Sequence, residues 1–243
     1  MKTYGLIGKS LAHSFSSDYF KKKFTYKEID AEYKNFEFEN VEAIRPFFDS
    51  LEISGLNVTI PYKQAIIPFL DDVDVVAQEI GAVNCIVIDK GKWIGYNTDY
   101  YGFMTSLKPF IENKHNRALV LGTGGASLAI QYALKQMDIP FHLVSREKGK
   151  GELTYEELNE RVIEACKFII NTTPLGSYPN LGECPPLPYD AIGSDHLLYD
   201  LVYNPAKTKF LQHAEDNKAM FMNGLDMLKH QAEKAWEIWG KVY

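Results

Sequence analysis

Two segments hold groups whose types and spacing suit binding a small polar molecule and moving a proton on it. In Asn57-Val58-Thr59-Ile60-Pro61-Tyr62-Lys63, polar and apolar residues alternate, so on a strand Asn57 and Thr59 point the same way. Pro61 stops that strand and the chain delivers Lys63 just past it. Gly95-Tyr96-Asn97-Thr98-Asp99 is a turn that ends in a carboxylate. Asn84 interrupts an otherwise apolar run, Ala82 to Ile88, where a buried amide needs a hydrogen-bonding partner. Ser14 and Ser16 sit in a polar loop behind the first strand. Singly, each has an ordinary explanation: a solvated lysine, a helix cap, a satisfied amide, loop serines. Their joint appearance points to a site.

A second constellation suits a dinucleotide. Gly122-Thr123-Gly124-Gly125-Ala126-Ser127 lies where a strand meets a helix, so the backbone can approach a pyrophosphate over the helix N-terminus. The alternative is a tight strand-to-helix turn with no ligand. An NAD site normally places an acid at the end of the following strand, to hold the ribose 2′-hydroxyl. Here that strand ends at Ser145-Arg146, and a guanidinium there attracts a 2′-phosphate, which favours NADP(H). Lys148 and Lys150 add to that field and Glu147 opposes it.

The elements that must position these groups follow from pattern. Strands are expected at Tyr4–Gly8, Phe36–Phe38, Gly55–Ile60, Ala82–Asp89 and Lys92–Gly95, the last two joined by a Lys90-Gly91 hairpin. Helices are expected at Ser17–Phe24, Val41–Leu51, Ala65–Leu70, Asp74–Ile80 and Tyr100–Phe110. A second α/β series begins near residue 100, with strands at Arg117–Leu121, Phe141–Ser145, Phe168–Asn171 and Leu197–Leu201. A helix runs from the glycine turn to about Met137, and Thr154-Tyr155-Glu156-Glu157 is a capping box that opens another. Only about eight residues separate Arg146 from Thr154, too few for both a helix and a strand. The last helix, about Asp226 to Trp239, is expected to return to the first domain.

Bulk properties exclude several classes. The hydrophobic and charged shares, 46% and 24%, are those of an ordinary globular chain with a core. The net charge of -6 argues against broad nucleic-acid binding. Cys85, Cys166 and Cys184 are scattered and odd in number, which is no disulfide framework and points to a reducing compartment. The histidines show no HxxxH or HExxH spacing, so no metal is expected. No apolar run suggests a signal peptide or a membrane span, and a cytoplasmic location is expected.

Several of these segments together resemble the shikimate dehydrogenase family: Gly8…His13-Ser14-Phe15-Ser16, the Asn57–Lys63 segment, Gly81-Ala82-Val83-Asn84, Gly95–Gly102 and the Gly122–Ala126 turn. Asn171-Thr172-Thr173-Pro174-Leu175-Gly176, Asp200-Leu201-Val202-Tyr203-Asn204-Pro205 and Gly224-Leu225-Asp226-Met227-Leu228…Gln231 extend the resemblance over nearly the whole chain. It implies an α/β protein of two domains. Residues 1–99 with 224–243 would form a substrate domain on a mixed sheet, and residues 100–223 a Rossmann-like NADP-binding domain. It implies that Ser14 and Ser16 hold a substrate carboxylate. Asn57, Thr59, Lys63, Asn84, Asp99 and Gln231 would grip ring hydroxyls and the reacting oxygen, and Tyr203 would reach towards the carboxylate. For the cofactor it implies Gly122, Gly124, Gly125, Ala126, Ser145, Arg146, Thr172 and Leu201, with Gly224 and Met227 flanking the nicotinamide.

The chain departs from the family pattern at Ser10 and Ser17, where prolines are usual, and at Ser145-Arg146-Glu147, which stands for Asn-Arg-Thr. The last change puts an acid where a hydroxyl would meet the 2′-phosphate. The implied reaction is the reversible NADPH-dependent reduction of 3-dehydroshikimate to shikimate, a step toward chorismate and the aromatic amino acids. A ketone accepting hydride develops alkoxide charge, which Lys63 would meet with a proton or charged hydrogen bond while Asp99 orients it. Which of the two transfers the proton stays open. So do use of quinate as well as shikimate, a non-catalytic ligand-binding paralogue, and a homodimer.

Overall fold

The computed structural model describes residues 1–11, 14–49 and 51–241; His13 of the serine segment lies outside them. The chain divides into two compact units, residues 1–102 with 228–243 and residues 103–227.

In the first unit the order is β1 (Lys2–Gly8), α1 (Phe15–Tyr26), β2 (Ala31–Glu37), α2 (Ile44–Phe48), β3 (Gly55–Val58), α3 (Tyr62–Ala65), β4 (Asp72–Val73), α4 (Val75–Ile80), β5 (Cys85–Asp89), β6 (Lys92–Tyr96) and α5 (Asp99–Leu107). The strands form one mixed sheet in the order β2-β1-β3-β5-β6-β4. β1 is parallel to β2 and β3, whereas β5 is antiparallel to β3 and β6. Alternation along β1 feeds two cores: Ile7 packs with Leu56, Val58, Ile86 and Trp93, and Tyr4 and Leu6 with Phe20, Phe24, Tyr33 and Trp239. The β5–β6 turn places both Lys90 and Gly91 at positive φ, 51° and 80°, as a two-residue hairpin requires.

The second unit continues with β7 (Ala118–Leu121), α6 (Gly125–Gln136), β8 (Phe141–Ser145), β9 (Leu153–Thr154), α7 (Glu160–Ala165), β10 (Phe168–Asn171), β11 (Leu197–Asp200), α8 (Lys209–Asp216) and β12 (Met220–Met222). Its parallel sheet runs β12-β11-β10-β7-β8-β9. Numbered from β7, that is the doubly wound dinucleotide-binding order, with its switch point between β7 and β10. All four residues of β7 are buried, as in a sheet covered on both faces. Helix α9 (Leu225–Gly240) then carries the chain back, its residues from Leu228 on belonging to the first unit.

Local expectations needed correction in several places. Ser16 lies in the first turn of α1 and not in the preceding loop, because Ser14 caps the helix and accepts from the Ser17 amide at 3.2 Å. Asn84 precedes β5 instead of interrupting a strand. Val41–Leu51 is a 3-10 turn followed by the short α2, and Ala65–Leu70 is the end of α3 followed by another such turn. The Thr154 capping box is formed with both its bonds, yet it opens a single 3-10 turn, and Asn159 caps α7 afresh. β2 starts at Ala31, the short β4, β9 and β12 carried too few patterned residues to be read, and helix α8, amphipathic and capped by Thr208, was not expected. Between β8 and β9 there is no helix, only a turn in which the Glu152 amide donates to Leu143 O at 2.9 Å.

Candidate active site

Lys63 and Asp99 are the centre of the first unit's polar cluster. Lys63 leaves α3 just beyond β3, and Asp99 opens α5, its amide held by Asn97 Oδ1 at 3.0 Å. Lys63 Nζ lies 2.6 Å from Asp99 Oδ2, with side-chain exposures of 14% and 5%. A charge so far from water has to be paired and fully hydrogen-bonded. The second carboxylate oxygen accordingly accepts from Asn84 Nδ2 at 2.9 Å. With one proton on Asp99, the ammonium keeps two for other acceptors.

Asn84 ties the cluster together. Its Oδ1 accepts from the Thr98 amide at 2.6 Å, and its Nδ2 also lies 3.3 Å from Gln231 Oε1, on the buried face of α9. Its carbonyl accepts from Val58 N at 2.9 Å and Asn57 Nδ2 at 3.2 Å, which fastens β3 to the cluster. Thus Asn57, Lys63, Asn84, Asp99 and Gln231, far apart in sequence, meet in one network. Ser14 and Ser16 stand at the start of α1, Ser14 as its cap and Ser16 buried in its first turn. Thr59 follows β3, half-buried. Tyr203 belongs to the second unit.

Two participants escaped the sequence reading as site residues. Thr98 braces Asn84 from within the turn that ends at Asp99. Tyr33 donates to Asn57 Oδ1 at 2.8 Å. Thr98 stood inside a recognised segment and had a signal, whereas Tyr33 lay in a strand start that no alternation marked.

In the second unit the glycine turn sits at the C-terminal end of β7, on the switch point. Gly122 has φ +108°, and a Cβ there would press on Thr172 Oγ1 and the Thr173 methyl, at 2.8 and 2.9 Å. Thr172 Oγ1 in turn donates to Leu121 O at 2.7 Å. Gly124 is the N-cap of α6 with no side-chain cap, and a Cβ there would meet open space. Packing therefore does not explain that glycine, while approach of a phosphate to uncapped amides does. Gly125 and Ala126 form the first turn of α6. These residues fit a dinucleotide.

At the end of β8, Ser145 is buried and its Oγ accepts from the Glu147 amide at 3.1 Å. Arg146 is exposed, and among the described residues no carboxylate pairs with it. Glu147, the acid that opposed a phosphate site, is held by Lys150 at 2.8 Å, and that lysine keeps its carboxyl below the usual range. Gly224 has a packing reason of its own: a Cβ would run into the Leu201 backbone. Met227 is buried at the start of α9. Asp200, at the end of β11, accepts from Asn171 Nδ2, Val202 N and Thr208 Oγ1, at 2.9, 3.0 and 2.6 Å. Burial nevertheless pushes its pKa up to about 6.

Comparison with known proteins bears on both units. Residues 6–86 match the family model described as the shikimate dehydrogenase substrate binding domain. The chain is 41% identical over 252 residues to the shikimate dehydrogenase (NADP(+)) of Clostridium beijerinckii, covering 98% of this chain and 92% of that protein. The crystal structure of shikimate dehydrogenase from Aquifex aeolicus matches with a TM-score of 0.87 at 37% identity, over 99% of this chain and 93% of that one. The Thermus thermophilus shikimate 5-dehydrogenase, in complex with NADP(H) and shikimate, matches with a TM-score of 0.89 at 27% identity, over 99% and 94%.

Proposed function

This chain belongs to the shikimate dehydrogenase family, and from that premise we propose that it reduces 3-dehydroshikimate to shikimate, reversibly, with NADPH. The observation that carries the reading is the Lys63–Asp99 pair braced by Asn84, a proton-handling centre inside a ring of hydrogen-bonding groups.

Residues 1–102 with 228–243 serve as the substrate unit and 103–227 as the cofactor unit. When bound, the nicotinamide supplies or accepts the hydride; Gly122, Gly124, Gly125 and Ala126 hold its pyrophosphate, and Arg146 the 2′-phosphate. Ser145, Thr172 and Leu201 line the same sheet end, with Gly224 and Met227 assigned to the nicotinamide. On the substrate, Ser14, Ser16 and Tyr203 take the carboxylate, and Asn57, Thr59, Asn84 and Gln231 the hydroxyls. Charge developing on the reacting oxygen is met by Lys63, whose ammonium has protons to spare after its bond to Asp99. In the reverse direction the pair takes the hydroxyl proton. Asp99, with both oxygens engaged, keeps the ammonium aimed.

The reading carries with it a cytoplasmic enzyme of small molecules, without nucleic-acid or membrane partners, in line with the net charge of -6 and the free cysteines. Among the described residues no helix is long and apolar enough to cross a membrane. Sedimentation of the purified chain distinguishes a monomer from the homodimer we propose. Steady-state assays with shikimate or quinate, each with NADP+ or NAD+, test the reaction: turnover of shikimate with NADP+ is expected to dominate. Binding of shikimate without turnover would leave a ligand-binding paralogue instead.

A further inference from the structure

Tyr33 is the one buried position of the edge strand β2, 2% exposed, while its neighbours Glu32 and Lys34 reach solvent. Its ring stacks on Phe20 at 4.8 Å and 13° and packs in the apolar cluster of Tyr4, Leu6, Phe24 and Trp239. A phenylalanine would serve that packing equally well. The hydroxyl needs a separate reason, because a buried phenol is unfavourable without a partner.

That partner is Asn57, whose Oδ1 accepts from the phenol at 2.8 Å. The Asn84 carbonyl can only accept, so the Asn57 NH2 faces it and Oδ1 is left to the phenol, whose proton holds the amide in that orientation. With the carbonyl oxygen engaged by Tyr33, the NH2 group turns to the polar cluster, and one of its protons goes to Asn84 O at 3.2 Å. The second remains for a ligand oxygen. Reversed, the amide would set its oxygen against the Asn84 carbonyl, a repulsive contact.

We infer that Tyr33 is a positioning residue, which acts through Asn57 to present an N–H donor to a substrate hydroxyl. The inference rests on the proposed reaction, and wild-type turnover of shikimate tests that reaction separately. Tyr33→Phe keeps the stacked ring, and circular dichroism checks its fold. In this variant KM for shikimate should rise about tenfold, the effect of one misdirected hydrogen bond. The same variant should leave kcat within about threefold and KM for NADP+ unchanged, since neither the proton-handling pair nor the cofactor unit is touched. In an Asn57→Ala background, adding Tyr33→Phe should change KM by less than about twofold, because the amide it orients is gone. An unchanged KM in Tyr33→Phe overturns the inference. So does an equal rise in both backgrounds, which would make the hydroxyl a general structural support.

Discussion

At the scale of single residues, the chemistry rests on an ion pair sheltered enough to be specific and open enough to be used. Lys63 keeps 14% of its side chain accessible against 5% for Asp99, so the ammonium is the member a substrate can reach. Lys63→Ala should lower kcat at least about a hundredfold, the usual contribution of a positioned acid–base group. Shikimate KM should change far less, because Ser14, Ser16, Asn84 and Gln231 remain. Steady-state kinetics on the folded variant checks both, and a near wild-type kcat would remove Lys63 from the proton step. For the cofactor, Arg146→Ala should weaken NADP(H) about tenfold or more, as loss of a charged hydrogen bond does, and leave NAD(H) nearly untouched. Fluorescence titration with both nucleotides reads this directly; equal weakening of the two would mean the guanidinium does not see the 2′-phosphate. The exposed Glu147–Lys150 pair supports the expectation, since it neutralises the acid that stands nearest.

Elements hold those residues in place through a few close contacts. Helix α9 brings Gln231 to the network, and its own anchor is Trp239, fully buried, with Nε1 donating to Ile86 O at 3.0 Å. Gly55 of β3 makes room for that indole, since a Cβ there would collide with its ring. Both strand and helix carry site residues two positions or two turns away, Asn57 and Gln231. Gly55→Ala should therefore destabilise the protein by about 1–3 kcal/mol, as overpacking a dense core does. Urea denaturation measures it, and an unchanged midpoint would show that the indole moves aside freely. Much at this scale was legible beforehand. The Lys90-Gly91 hairpin and the strand-turn-helix at Gly122 follow from local chemistry that few residues determine. The division of Val41–Leu51 into a 3-10 turn and the short α2, and the start of β2, did not, because Arg45-Pro46 and Tyr33-Lys34-Asn35 carry no periodicity that survives their neighbours.

For the molecule as a whole, pH dependence offers a test that depends on burial alone. Asp200 is fully buried without a cation, and its pKa is raised from 3.8 to about 6. The folded state thus holds that proton more tightly than the unfolded chain does. The stabilisation is complete below the unfolded value and is lost as pH rises through about 6, a difference on the order of 3 kcal/mol. Asp200→Asn keeps an acceptor for Asn171 and Val202 and cannot ionise. Between pH 4 and pH 7 (roughly the interval those two values span), wild-type stability should fall relative to the variant. Parallel melting temperatures for the two proteins across that range would show the carboxyl to be ordinary.

The sequence by itself determined the chemistry and its family, because spaced groups such as Asn57–Lys63, Gly95–Asp99 and Gly122–Ala126 are local and few backbones satisfy them. It also determined that a helix and a strand cannot both fit between Arg146 and Thr154, since chain length sets that limit. Which groups meet was decided by tertiary structure alone. Lys63 reaches Asp99 only because β3, β5 and β6 pair in a mixed sheet, and Asn84 reaches Gln231 only because α9 folds back over 147 residues of separation. Tyr33 shows the difference most plainly: nothing in its neighbourhood in the chain marks it. Only the parallel pairing of β2 with β1, and of β1 with β3, brings its hydroxyl to Asn57, where burial makes the bond obligatory.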